Sequence, residues 1–102
     1  MNDLARPRPT SRIELSRSAL ARNLSFIRSR IGHDTLLCSI VKGNAYGHGI
    51  EEFVPLAESL GVRHFGVADS FEAKRVLACK ARETAVLIMA MIRDEEISWA
   101  VA

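Results

Sequence analysis

No apolar run in this chain approaches the roughly 18 residues needed to cross a membrane; the longest, Ala85–Ile92, suits a buried strand. Cysteine is scarce, and its two copies, Cys38 and Cys79, fall in an apolar strand pattern and a helix pattern. Thiols so placed read as buried and free rather than as a disulfide framework. No one sign of charge dominates: 14 basic against 12 acidic residues leave a net +2, which argues for neither a nucleic-acid partner nor an anionic membrane. The opening MNDLARPRPTSR has no apolar core of a secretory signal. Part of the basic surplus sits there, in Arg6, Arg8 and Arg12, yet Asp3, Pro7 and Pro9 speak against an amphipathic transit helix. The phosphate-loop pattern GxxxxGK[ST] is missing, and His33 and His64 stand at no metal-like spacing from the cysteines, so no metal is expected. These absences leave a soluble, cytoplasmic protein as the expectation.

What is there is globular: 48% of the 102 residues are hydrophobic and 25% charged. Residues 1–11 read as an N-terminal segment and 12–102 as one domain. Ile13 and Leu15 alternate with Arg12, Glu14 and Ser16, the pattern of a short strand at Arg12–Leu15. Ser16 is placed to cap a helix whose Leu20, Leu24, Ile27 and Ile31 form one stripe, and Gly32 is placed to stop it. Thr35–Val41 is nearly all apolar, as in strands covered on both faces. A second helix carries Ile50, Phe53, Val54, Ala57 and Leu60 on one side and ends at Gly61. Pro55 is accommodated if that helix starts just before it. His64–Asp69 is a third strand, Ser70 caps a third helix with Phe71, Ala73, Val76 and Leu77 as its apolar side, and Glu72 suits that helix's positive end. Thr84–Ile92 is a fourth strand. Asp94 would cap a last helix with Ile97, Trp99 and Val101 apolar and no stop signal.

Strands and helices thus alternate four times, which implies parallel crossovers in an open doubly wound sheet or a barrel. An eightfold barrel takes roughly 200 residues or more. The expected fold is α/β: a partial (β/α)₈ TIM-type barrel of about four βα units, with the last helix cut short.

Chemistry concentrates in Val41–Gly49, VKGNAYGHG. Lys42 stands at the C-terminal end of a parallel strand, where α/β enzymes place their sites. Gly43, Gly47 and Gly49 allow close approach of backbone to a ligand, and Tyr46 offers a ring and a hydroxyl to a phosphate or an aromatic group. Burial of that strand end would make Lys42 a better amine nucleophile towards an aldehyde cofactor or a carbonyl substrate; composition does not choose between them. Asn44 reads as a loop organiser and His48 as a loop histidine bonded to backbone. Asp69 and Glu72 are explained by strand end and helix start, and Glu83 by a solvated turn. Met89 and Met91 alternate along a strand as filling residues.

VKGNAYGHG closely resembles the V-V-K-A-N-A-Y-G-H-G signature of bacterial alanine racemases, with Gly43 where alanine is usual. RIELSRSALARNL resembles the family's first strand and helix, HFGVADSFEA its third strand and helix start, and VLIM the strand after. The resemblance implies that Lys42 carries pyridoxal 5′-phosphate and acts as one of two bases in the interconversion of L- and D-alanine. Tyr46 would lie by the cofactor phosphate. It implies a homodimer in the full-length enzyme, in which a tyrosine of a C-terminal β-domain is the second base of the partner's site. An arginine deeper in the barrel would meet the pyridine nitrogen. Tyr46 is the only tyrosine present, so that second base is not within these residues. Gly43 beside the lysine adds backbone freedom that would loosen its placement.

The function expected from the resemblance is therefore a pyridoxal-phosphate amino-acid racemase acting on alanine, present as its N-terminal part. The alternatives are a catalytically silent, cofactor-binding piece and a related barrel protein that uses the same cofactor.

Overall fold

A computed structural model describes residues 7–102. The elements run α1 (Arg17–Ile31), β1 (Ser39–Ile40), α2 (Lys42–Tyr46), α3 (Ile50–Ser59), β2 (His64–Val67), α4 (Ser70–Cys79) and β3 (Ala85–Ile88), then a 3₁₀ turn (Asp94–Glu96) and α5 (Ile97–Val101). The three strands form one parallel sheet in the order β1-β2-β3. Ile40, Gly66 and Leu87 stand in one row across it, and Phe65 and Val86 in the next.

Because side chains alternate across a sheet, each row faces one side. Phe65 and Val67 are fully buried, and Val86 and Ile88 pack beside them. They meet Ile50, Val54 and Ala57 of α3 and Ala73 and Val76 of α4, which are also buried. Removing each such valine, isoleucine or phenylalanine from water stabilises the fold by roughly 1.5–3 kcal/mol. The other face is open. Leu87 is 56% exposed and Met89 41%, while Ile40 and Met89 crowd over Gly66, where a side chain would press against them.

Several elements differ from the sequence reading. Arg12–Leu15 forms no strand: Ile13 is 66% exposed, and Arg12 pairs with Glu14 at 2.6 Å on the surface. A strand is stabilised only by a paired neighbour, and among the described residues none lies beside this stretch. The described sheet therefore has three strands where four were expected. Only Ser39 and Ile40 of Thr35–Val41 are paired as strand; β2 begins at His64, in register with Cys38, and offers nothing opposite Thr35–Leu37. Leu36 is left 75% exposed and Cys38 exposed, so the cysteines are free but Cys38 is not buried as expected. Partial burial still raises the pKa of both thiols.

Ser16 does cap α1, its hydroxyl accepting from the Ala19 amide at 3.2 Å, and Gly32 ends it. Helix α3 starts at Ile50, not near Pro55; the proline sits in the second turn on the exposed side, where it removes the N–H that would bond Glu51 O. The cap of α4 is Asp69 rather than Ser70: its carboxylate accepts from the Glu72 amide at 3.0 Å. Phe71 and Leu77, expected on the apolar side of α4, are 72% and 44% exposed. Asp94 lies inside the 3₁₀ turn, with Arg93 at the cap position.

Candidate functional site

The N–H of Val41 donates to Gly66 O at 2.8 Å, extending the ladder one residue past β1. Val41 is fully buried and holds the chain to the core. Lys42 follows at the C-terminal end of the sheet, exposed to solvent. The burial that would desolvate its amine is not supplied by the described residues, and none of them forms an ion pair with it.

The next four residues make an unusual turn. Gly43 (φ 61°, ψ 41°), Asn44 (57°, 46°) and Ala45 (56°, 45°) are left-handed, as is Tyr46 with φ 55°. Left-handed backbone costs an L-residue about 1–2 kcal/mol and is visited by single residues far more than by runs. Gly43 pays no such penalty. It is the residue that best tolerates the conformation imposed there.

Several interactions hold the turn in that hand. The Ala45 amide donates to Val41 O at 2.8 Å, and the Gly47 amide reaches Gly43 O and Asn44 O, both at 3.1 Å. Ala45 inserts its methyl into the core beside Ile50. The Asn44 side-chain carbonyl accepts from the Ile50 amide at 3.0 Å and from Arg75 Nη2 at 2.6 Å, which ties the turn to the start of α3 and to α4. Arg75 in turn grips Glu51 with two bonds, Nε at 2.9 Å and Nη2 at 2.7 Å. Bonding to the Arg75 guanidinium holds the Glu51 carboxyl below its ordinary range. Glu72 adds to these: its Oε2 accepts from the Gly43 amide at 2.6 Å and the Asn44 amide at 3.3 Å.

The two residues picked out for cofactor chemistry, Lys42 and Tyr46, bracket this turn. Tyr46 is 64% exposed, so its ring and hydroxyl are presented to solvent rather than packed. Asn44 is the loop organiser the sequence indicated. His48 Nδ1–H donates to Ala45 O at 3.0 Å, the backbone-bonded role expected of it. Sequence reasoning missed the supporting trio of Glu51, Glu72 and Arg75. Glu72 and Arg75 lie three apart on α4, hence on one helix face, and that spacing was the available signal.

In chemical terms, a primary amine stands in the open at the strand end on a backbone held from both sides. That arrangement suits nucleophilic attack on a carbonyl and proton transfer at the same nitrogen.

A protein-family model described as alanine racemase, N-terminal domain, matches residues 15–102. The alanine racemase of Francisella philomiragia is 41% identical over 83 residues, which are 81% of this chain and 22% of that protein. The alanine racemases of two Francisella tularensis subspecies, tularensis and holarctica, are 41% identical over 85 residues, 83% of this chain and 22% of theirs. The chain spans about a fifth of the length of these curated relatives.

Proposed function

The chain belongs to the family of alanine racemase N-terminal domains, and from that premise we propose that it serves the interconversion of L- and D-alanine as the part that anchors pyridoxal 5′-phosphate. Lys42 is the anchor and one of the two proton-transferring bases, and Tyr46 contacts the cofactor phosphate. When bound, the cofactor supplies an aldehyde that condenses with the amine, releasing water, and a π-system that spreads charge from the α-carbon.

The observation that carries this reading is the exposed Lys42 amine at the C-terminal end of β1, followed by a turn whose backbone is fixed on both α3 and α4. The residues present fit the cofactor to that extent. A lysine can form the covalent attachment and afterwards hold or release a proton at Nζ, and a tyrosine stands four residues on. The described strands would belong to an eightfold barrel closed by further βα units, and the proton acceptor on the opposite face of the substrate would come from a partner subunit. Tyr46 is the only tyrosine here. The 102-residue chain alone is therefore expected to take up cofactor without appreciable racemisation.

The test mixes the purified chain with pyridoxal phosphate, reduces with borohydride and maps the label by peptide mass. Label concentrated on Lys42, and lost from the whole chain in Lys42→Ala, supports the reading. Label spread evenly over Lys42, Lys74 and Lys80 refutes it.

A further inference from the structure

The half-buried carboxylate of Glu72 collects three backbone N–H groups: Gly43 at 2.6 Å and Asn44 at 3.3 Å on Oε2, and Ala68 at 3.0 Å on Oε1. Near the start of α4 a glutamate would ordinarily serve only its own helix, by favouring the positive end of the dipole or by bonding back to the residues just before it. The bond from Ala68 does that. The other two donors lie 29 and 28 residues earlier in the chain and belong to the two residues directly after Lys42. Capping α4 does not require them, since Asp69 already caps that helix.

We propose that Glu72 is a positioning residue for Lys42: one carboxylate ties the backbone leaving Lys42 to the C-terminal end of β2, and so fixes where the Lys42 amine is presented. This rests on the proposed role of Lys42 and extends it to a residue that never touches substrate. The charge matters as well as the shape. Both oxygens of a carboxylate accept, so all three donors are satisfied, and bonds to an ionised acceptor are about twice as strong as neutral ones. A glutamine of the same size has one accepting oxygen. Its NH₂ group would face one or two of the N–H donors with nothing to accept them. Because Asn44 is left-handed, a slackened turn has a lower-energy conformation to relax into, and Lys42 would move with it.

Glu72→Gln and Glu72→Ala in the 102-residue chain test this with two readouts. The first is amide hydrogen exchange. In E72Q the Gly43 and Asn44 amides should exchange at least about tenfold faster, the factor matching loss of the weakest hydrogen bonds to charged groups, while Val41 and Phe65 keep wild-type protection. The second is the rate of site-resolved acetylation of Lys42, Lys74 and Lys80 by trace acetic anhydride at one pH, a probe that needs no cofactor. The Lys42 rate should change, with those of Lys74 and Lys80 matching wild type. Unchanged amides overturn the proposal, and so do loosened amides with an unmoved Lys42 rate, which would leave Glu72 a purely structural tie. If E72A unfolds, the near-isosteric E72Q still decides. Failure of pyridoxal phosphate to label wild-type Lys42 would sink the cofactor reading alone, because neither readout here depends on it.

Discussion

Replacing Gly43 by alanine should destabilise the chain by about 1 kcal/mol, and replacing Tyr46 by glycine should stabilise it. Gly43 sits at φ 61°, ψ 41°, and a methyl built there meets nothing within 4 Å. Crowding thus contributes nothing, and the whole effect is backbone preference. Left-handed geometry costs an alanine about 1–2 kcal/mol, offset in part by the roughly 0.4–1 kcal/mol that alanine gains through its stiffer unfolded chain. Tyr46 is the mirror case: a side chain 64% exposed on a backbone with φ 55°. Glycine there removes the strain and forfeits little packing, although in the proposed function it would also remove a cofactor contact. Urea and thermal unfolding followed by far-ultraviolet circular dichroism would read both changes. One kcal/mol corresponds to a midpoint shift of about 4–8 °C in a domain of this size. A Gly43→Ala chain as stable as wild type, or more stable, would refute a left-handed turn at Lys42, and a strongly destabilised Tyr46→Gly would show that the ring packs where the structure leaves it open.

Asp69→Ala removes the acceptor of the Glu72 amide at 3.0 Å and should cost about 1 kcal/mol, read as a shifted urea midpoint. Phe65 is the largest fully buried side chain; Phe65→Ala should cost about 3–5 kcal/mol, enough to abolish a cooperative thermal transition in a small domain. Arg75 holds Glu51 below its ordinary range, and a carboxylate whose folded pKa is lowered adds stability above its unfolded value and loses it as pH falls through the folded one. Wild-type and Glu51→Gln chains should therefore differ in urea midpoint at neutral pH and converge as the solution is taken below the ordinary glutamate value of about 4.3; curves that stay parallel would remove the pair from the account.

Where the sequence could be read, the signal was local. Ser16, the Leu20–Leu24 stripe and Gly32 mark α1 because cap chemistry and helical period act within a few residues. The apolar strands His64–Asp69 and Thr84–Ile92 are both found, though trimmed to four paired residues each. Arg12–Leu15 misled because alternation describes a side chain's preference and not the presence of a neighbour to pair with. Ser70 and Asp69 can both cap by residue type, and only backbone placement separates them. At the site, the resemblance and the strand-end position single out Lys42, and the residue types indicated the loop roles of Asn44 and His48. The left-handed hand of the turn was invisible, because glycine permits it without demanding it. The ties from Glu72 and Arg75 join residues 28 to 31 positions apart, a distance no local pattern spans.

That separation has a consequence in time. A peptide of residues 41–49 alone keeps only the turn's own backbone bonds to set against the ordinary right-handed preference of Asn44, Ala45 and Tyr46. The partners that reverse the preference, Glu72 and Arg75, are made later, at about 5–20 residues per second of synthesis. Until α4 docks, the ties from Glu72 and Arg75 that fix the turn after Lys42 are missing. Segments whose shape is dictated from afar are the last to mature, and a chain caught before that docking would carry the lysine without its address.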